Sequence, residues 1–545
     1  MATEGMPAKE WRVTRRWLET VLTAHHNRPP DAWELHGDAA ADAAGEGAAT
    51  ARQGRLRVKV CDFEVSRGTT GGIGSLLSEI LSVRVDYELL PSSDGGEEKQ
   101  AQSLRLLLKL PPKDPVTRAF VTEAQFHLRE IKFYTEVVPE LMEFQHRLLG
   151  DKGPPLIRLP VPRCYYAWHY GMHGSEGGML GEQTGEGGQG QDEDDEDGEA
   201  PKEEDFSVLV LEDLRASGYS VGDFSRGLTA EQASAALDAV ARLHALSLAY
   251  GILGSEGSME AIPDRFPFLF RATPESCRSL VGRGLPQLAS FLHRHRRRPR
   301  ASAHPRLLHR LLHLVRGRRD GESAGGGDED DALAEADFWG GKLLFGGGAD
   351  DPEGERGEED GAAGGCPTHG DQGRHTLATL THSDFWSGNL LFRENPDGTT
   401  DCMVVDWQML SWGRPTDDAA LLLLSSLPSR LRRGKSRELL GLYWRSLLGH
   451  AKSLSINIGD EGRAGGRGGR AEVCYNLGDL AGDFRRSRVL ALLLVVGSVD
   501  VALGDADAEE RLLDLIEDVE EGGEEGGREN GAEEVADEEG KDIDV

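Results

Sequence analysis

Two short apolar runs, Leu390–Phe392 and Cys402–Val405, flank a connection that holds Asn395-Pro396-Asp397-Gly398. That tetrapeptide is a strong turn signal, so the two runs must fold back on each other as a strand pair. The hairpin carries its flanking residues to its ends. Before it stand His382, Asp384 and, five residues past Asp384, Asn389; after it Asp406 follows the apolar Met403, Val404 and Val405. A carboxylate, an amide and a second carboxylate are thus gathered at the ends of one hairpin.

His382-x-Asp384-x-x-x-x-Asn389, then a hairpin, then an Asp after an apolar strand, is the order and spacing used by kinase-type phosphotransferases. The spacing has a chemical reason. A hydroxyl acceptor needs a carboxylate to orient it and take its proton, and ATP needs Mg²⁺ across its phosphates, held by hard oxygen ligands. Asp384 is the candidate base, and Asn389 and Asp406 are the candidate metal ligands. His-x-Asp alone is a weak signal, whereas the compound pattern is specific. The plainer alternative is that Asp384 and Asn389 cap turns and Asp406 ends a strand.

The formal charge of the chain is −33 over 545 residues, with 70 glycines, and the acid is segregated. Gly174–Asp205 carries −12, Asp320–Gly373 carries −14 and Asp505–Val545 carries −16. Together these hold −42, so the remainder carries +9. Such glycine- and acid-rich stretches bury too little apolar area to offset chain entropy, and disorder is expected there. The remaining ~400 residues suffice for two cores. The six cysteines are scattered, with no Cys-x-x-Cys pair, so neither zinc nor a disulfide framework is indicated and a reducing compartment fits. Met1–Arg16 has no apolar core of a leader, and the longest apolar run, Val489–Val496, is too short to span a bilayer. A cytoplasmic location without a membrane span is expected.

Glu10–His25 has helical apolar spacing, and Gly37–Ala51 reads as a linker. Leu56–Val65 and Ile80–Leu89 alternate as strands around Gly71-Gly72-Ile73-Gly74-Ser75. Backbone N–H groups at Gly72, Gly74 and Ser75 can lie over phosphates, or the loop is a plain turn. It lacks the Gly-Lys-Ser/Thr of a Walker loop and precedes a strand, which argues against a dinucleotide fingerprint. Leu104–Leu110 is an apolar strand with Lys109 near its end, either snorkelling to solvent or pairing with phosphates. Phe126, Glu130, Phe133, Tyr134 and Val137 fall at helical spacing, so Glu130 lies beside a buried stripe and needs a partner, for which Lys109 is the natural choice. Phe206–Leu214 is a strand leading to a polar stop, a candidate link whose backbone at Glu212 and Leu214 can pair with adenine. Thr229–Leu248 is an amphipathic helix opened by a capping box, Thr229 with Gln232, and its His244 reads as a packed residue. The basic stretch His293–Arg319 reads as solvated or paired with the chain's own acid, and no nucleic-acid partner is expected. Asp337-Phe-Trp-Gly-Gly-Lys342 echoes Asp384-Phe-Trp-Ser-Gly-Asn389 but has Lys where the second copy has Asn, so no metal role is assigned to it.

His382-Ser-Asp384-Phe-Trp-Ser-Gly-Asn389, Val405-Asp406-Trp-Gln408, Arg414-Pro-Thr-Asp-Asp418, Phe126-x-x-x-Glu130 and Val210-Leu-Glu-Asp-Leu214 resemble the ecdysteroid-kinase-like (CHK kinase-like) family of the aminoglycoside phosphotransferase and choline kinase superfamily. Ser383 stands where that family usually has Gly, Trp407 where it usually has Phe, and the glycine loop matches loosely. The resemblance implies an α+β, bilobal protein-kinase-like fold with a small β-rich N-lobe, a larger mainly helical C-lobe and disordered acidic insertions. It also implies ATP, Mg²⁺, and phosphorylation of a small-molecule hydroxyl: a steroid-, choline- or sugar-like alcohol. Asp418 is expected to brace the catalytic loop. The expected division is a helix and linker over 1–55, an N-lobe over 56–211 with the insertion 174–205, a C-lobe over 212–505 with the insertion 320–373, and an acidic tail over 506–545. A protein kinase is the weaker reading, because only about ten residues separate Asp406 from the next helix and there is no Ala-Pro-Glu. A catalytically silent binding module of the same fold is the other alternative. The sequence leaves the acceptor and the oligomeric state open.

Overall fold

The structure is a computed structural model. It describes residues 13–28, 56–68, 77–91, 100–150, 155–169, 207–254, 262–271, 274–295, 377–459, 471–498 and 507–516. The glycine loop with Gly72, Gly74 and Ser75, the acidic insertions 174–205 and 320–373, the Asp337 copy and most of the Arg-rich stretch lie outside the described residues. The chain divides into two units, one of Met1–Val221 with Met403–Leu410 and the other of Gly222–Cys402 with Ser411–Val545.

The first unit is built on a five-stranded sheet. Its strands are β1 (Leu56–Arg67), β2 (Glu79–Pro91), β3 (Gln100–Leu110), β4 (Cys164–His169) and β5 (Ser207–Glu212), in the order β1-β2-β3-β5-β4 with every pair antiparallel. Alternation decides which face is inside: Val58, Val60, Val83, Val85, Leu106 and Leu108 form one core with Val208 and Val210. Helix α1 (Arg15–His26) is capped by the Thr14 side chain and adds Leu18 and Leu22 to that core.

The region around the helical stripe of Phe126, Glu130, Phe133, Tyr134 and Val137 is not one helix. It is α2 (Pro115–Glu123), α3 (Phe126–Lys132), a π turn over Phe133–Val137 and α4 (Val138–Leu149). Gln125, at φ +54, breaks the first join. Pro139 follows the π turn, where it has no N–H to give to the regular ladder. Apolar spacing does not register a wide turn, because the same stripe stays buried through it.

Inside this unit His127 is buried between two hydroxyls, Ser78 Oγ at 3.1 Å from Nε2 and Ser207 Oγ at 2.9 Å from Nδ1. Burial, and then the nearby Lys109 charge, pushes its pKa down to about 3 from 6.5. A group held neutral in the fold but free to protonate when unfolded stabilises fully above about 6.5 and loses that contribution as pH falls toward about 3. The unit is therefore expected to lose on the order of a few kcal/mol across that window. His127→Gln, melted across the same pH range, is expected to show a shallower slope; an unchanged slope refutes the assignment.

The second unit is mainly helical. Its long helices are α5 (Ala230–Leu253), α6 (Pro274–His295), α7 (Pro415–Ser425), α8 (Ser429–Ser453) and α9 (Leu477–Gly497). The capping box of α5, Thr229 with Gln232, forms as its sequence requires. Among the described residues α5 is long and apolar enough to cross a membrane, and that apolarity is used inside the unit, where 14 of its residues, among them Leu237, Val240, Leu243 and Leu248, are buried. The strands here are short: β6 (Thr379–Thr381), β7 (Leu390–Glu394), β9 (Ser411–Gly413) and most of β8 (Thr400–Val404), whose last two residues belong to the first unit; β6 and β9 pair antiparallel. The turn between β7 and β8 closes on Asn395, whose N–H donates to Thr399 O at 2.8 Å. A sheet-based unit and a mainly helical one make the α+β class expected.

Two boundaries differ from the sequence reading. Residues 403–410, with Asp406, belong to the first unit, because Trp407 stacks on Phe133 at 4.1 Å and Val404 N donates to Pro160 O at 2.7 Å. The acidic tail does not begin at 506: residues 507–516 are helical and bury Ala508, Leu512, Leu513, Leu515 and Ile516. Net charge averages over a window and conceals this apolar spacing.

Candidate active site

In the first unit β3 delivers Lys109 and α3 delivers Glu130. Lys109 is nine-tenths buried and Glu130 almost completely so; their Nζ–Oε2 distance is 2.6 Å. Asp406 closes the group, with its Oδ1 also 2.6 Å from Lys109 Nζ. Burial disfavours charge on Lys109, but two flanking carboxylates, Asp406 first, outweigh it and hold the pKa of the ammonium above its ordinary value. Burial also pushes the Glu130 carboxyl up against the opposing pull of Lys109. The direction that prevails is the charged pair, because the ammonium touches both carboxylates at hydrogen-bond distance.

Asp406 sits in the left-handed region, φ +68 and ψ 60, which costs a side-chain-bearing residue on the order of 1 kcal/mol. The surroundings hold it there. Arg129, next to Glu130 and buried, donates from Nη1 to Gln408 O at 2.6 Å. Trp407 Nε1 donates to Val404 O at 3.2 Å, and its ring lies on Phe133 with planes 13° apart. Thus α3 both neutralises Lys109 and fixes the segment that carries Asp406.

In the second unit Asp384 and Asn389 meet. Asn389 Nδ2 donates to Asp384 Oδ2 at 2.8 Å and to Asp384 O at 2.9 Å. Both amide hydrogens are spent on the loop, which leaves Asn389 Oδ1 as the oxygen donor. Asp384 N donates to His382 Nδ1 at 3.2 Å, so the buried imidazole holds the loop from within. Gly388 is required by a close approach, since a Cβ there would meet the Trp386 ring at 2.4 Å.

Asp418 braces this loop. Its Oδ2 accepts from His382 N and its Oδ1 from Ser383 N, each at 2.8 Å. His244 Nε2 lies 3.1 Å from Asp418 Oδ2, and His244 Nδ1 lies 2.8 Å from the Tyr443 hydroxyl. The carboxylate accepts from Nε2–H, so Nδ1 accepts from the tyrosine. All three side chains are fully buried. A buried donor left without such a partner costs about 1–3 kcal/mol. Ser383 has φ +63, the conformation that glycine adopts without strain, and this accounts for the glycine expected at that position. Its hydroxyl lies 3.0 Å from Thr381 Oγ1 and 2.5 Å from Ser411 Oγ.

The structure therefore brings Lys109, Glu130 and Asp406 together in one unit, and Asp384 with Asn389 in the other. The backbone proposed for adenine is partly engaged within the chain: Glu212 N donates to Arg163 O at 2.8 Å, and Leu214 O accepts from Tyr219 N at 3.2 Å. Sequence reasoning missed Arg129, concealed beside Glu130 on a stripe read as apolar, and Tyr443, which sits in no motif. Among the described residues no three His, Cys, Asp or Glu side chains cluster as a metal site. Each unit offers one hard oxygen of the type that suits Mg²⁺, a carboxylate at Asp406 in the first and an amide oxygen at Asn389 in the second.

Over residues 74–266 and 366–456, more than half of the chain, the sequence matches the ecdysteroid kinase-like family. The chain belongs to that family. The matched residues of this family member span Lys109, Glu130, Asp384, Asn389, Asp406 and Asp418. No curated protein sequence matches the chain. Among solved structures it is similar to a choline kinase from Cryptosporidium parvum Iowa II, with 10% identity and a TM-score of 0.33, over 86% of this chain and 91% of that chain.

Proposed function

We propose that this kinase-like protein is an ATP- and Mg²⁺-dependent phosphotransferase acting on a hydroxyl group of a small molecule. The observation that carries the reading is Lys109, held at 2.6 Å from both Glu130 and Asp406. A buried ammonium so fixed is placed to pair with anionic phosphate oxygens. Asp406 and Asn389 would each hold a Mg²⁺ ion, which when bound neutralises charge on the phosphates. Asp384 orients the acceptor hydroxyl and receives its proton at a carboxylate oxygen. The acceptor oxygen bonds to the γ-phosphorus as the bond from that phosphorus to the β,γ-bridging oxygen breaks, leaving ADP. Asn389 keeps the Asp384 carboxylate aimed while this occurs. Steroid-, choline- and sugar-like alcohols are the acceptor classes proposed. A cytoplasmic setting is proposed with them.

The test is ATP consumption by the full chain with a panel of such alcohols, with and without Mg²⁺, read together with a mass gain of one phosphate on the acceptor. Mg²⁺-dependent phosphorylation of one class is expected. Failure to bind ATP with Mg²⁺ in calorimetry, together with no turnover on any acceptor, favours the silent binding module instead.

A further inference from the structure

Among the described residues strand β1 is an edge of its sheet, and it is 12 residues long. An edge strand presents a row of N–H and C=O groups on which another chain can pair. In β1 that row is met by side chains of α1. Asn27, the residue closing the helix, accepts from Leu56 N at 2.8 Å and donates to Leu56 O at 2.7 Å. Thr23 Oγ1 accepts from Val58 N and Glu19 Oε1 from Val60 N, each at 3.0 Å. Arg15 Nη1 donates to Val60 O and, at 2.9 Å, to Cys61 O. These four residues recur at every fourth position. Four helical residues rise about 6 Å and two strand residues about 6.8 Å, so the ridge keeps step with alternate residues of β1. The pairing register of β1 shifts between Val60 and Asp62, so Cys61 is the extra residue of a bulge, another device found on protected edges.

The strand beneath this ridge is self-complementary. Antiparallel pairing of two copies about the Val60–Cys61 peptide sets Arg57 opposite Glu64, Lys59 opposite Asp62 and Val58 opposite Phe63. All four charged residues are exposed, and opposite charges directly across an antiparallel pair attract. Arg84, on the neighbouring strand, lies 3.8 Å from Asp62 and 3.9 Å from Glu64, contacts that the exposure of all three side chains leaves weak. We propose that β1 is a docking edge for a second copy of this chain, joined strand to strand about a two-fold axis, and that the α1 ridge of Arg15, Glu19, Thr23 and Asn27 keeps it closed.

The test is sedimentation of the full chain over a range of concentrations, comparing the unmodified protein with Glu19→Ala/Thr23→Val/Asn27→Ala. The variant is expected to keep its circular dichroism and to double in mass as concentration rises. Adding Arg57→Glu/Lys59→Glu, which sets like charges opposite, is expected to abolish the doubling. A natively folded variant whose mass stays that of the unmodified chain overturns the proposal, and so does association that ignores the charge change. If the triple substitution unfolds the chain, Glu19→Ala alone frees only the Val60 N–H. Faster hydrogen exchange at that amide with charge-sensitive self-association is then expected, and native exchange or charge-insensitive association refutes the edge.

Discussion

Asp384→Asn is expected to lower turnover by about 10²–10⁴, the range for a positioned acid–base group, while ATP binding and the melting temperature stay close to those of the unmodified protein. The reason is geometric. An asparagine at 384 is nearly the same size and can still face Asn389, so the loop keeps its shape while losing the carboxylate proposed to receive the acceptor's proton. His382 and Asp418 hold the backbone on either side through N–H groups that the substitution does not touch. Steady-state kinetics on the best acceptor, paired with calorimetry of nucleotide binding, checks both halves. Turnover near normal removes Asp384 from the chemistry. A large loss of stability shows instead that the carboxylate was holding the loop.

Lys109→Met is expected to destabilise the first unit by about 3–5 kcal/mol, the cost of leaving a buried charge without its partner. Glu130 is the group stranded, since it is almost fully buried and faces Lys109 at 2.6 Å. Lys109→Met/Glu130→Gln is therefore expected to recover part of the loss. Asp406→Ala behaves differently. It leaves Lys109 paired with Glu130, so the fold survives, but Mg²⁺-dependent ATP binding is lost. Denaturant unfolding of all three variants, with calorimetry of ATP in the presence of Mg²⁺, separates the outcomes. Equal destabilisation by Asp406→Ala and Lys109→Met contradicts the view that Glu130 is the buried charge at risk.

The parts of the site legible in the sequence were those with a local reason. Asp384 and Asn389 were read from their spacing in one loop, and the structure joins them by an amide–carboxylate hydrogen bond within that loop. Lys109 and Glu130 were paired because a carboxylate beside an apolar stripe must find a cation nearby. The contact of Lys109 with Asp406, 297 residues away, follows from no periodicity. His244 was read as a packed helix residue, which its burial agrees with, but its bond to Asp418 depends on how α5 and α7 cross. Tyr443 was invisible for the same reason. Arg129 was hidden because a buried arginine and a surface arginine look alike until the backbone carbonyl it meets, Gln408 O, is known. The ridge on α1 was concealed by chemistry: arginine, glutamate, threonine and asparagine at fourfold spacing read as a solvated helix face, and only a neighbouring strand edge gives them partners.

Asp418 stands where three helices meet the loop of His382 to Asn389: it rises from α7, His244 reaches it from α5, and Tyr443 reaches His244 from α8. The loop draws alignment from all three, beside the bonds that His382 and Asn389 make within it. Heating that loosens any one of these helices slackens the grip on His382 and Ser383 at the same moment. Loss of the proposed turnover and melting of this unit are then expected as a single thermal event, with no temperature interval in which the unit is folded but its loop misaligned.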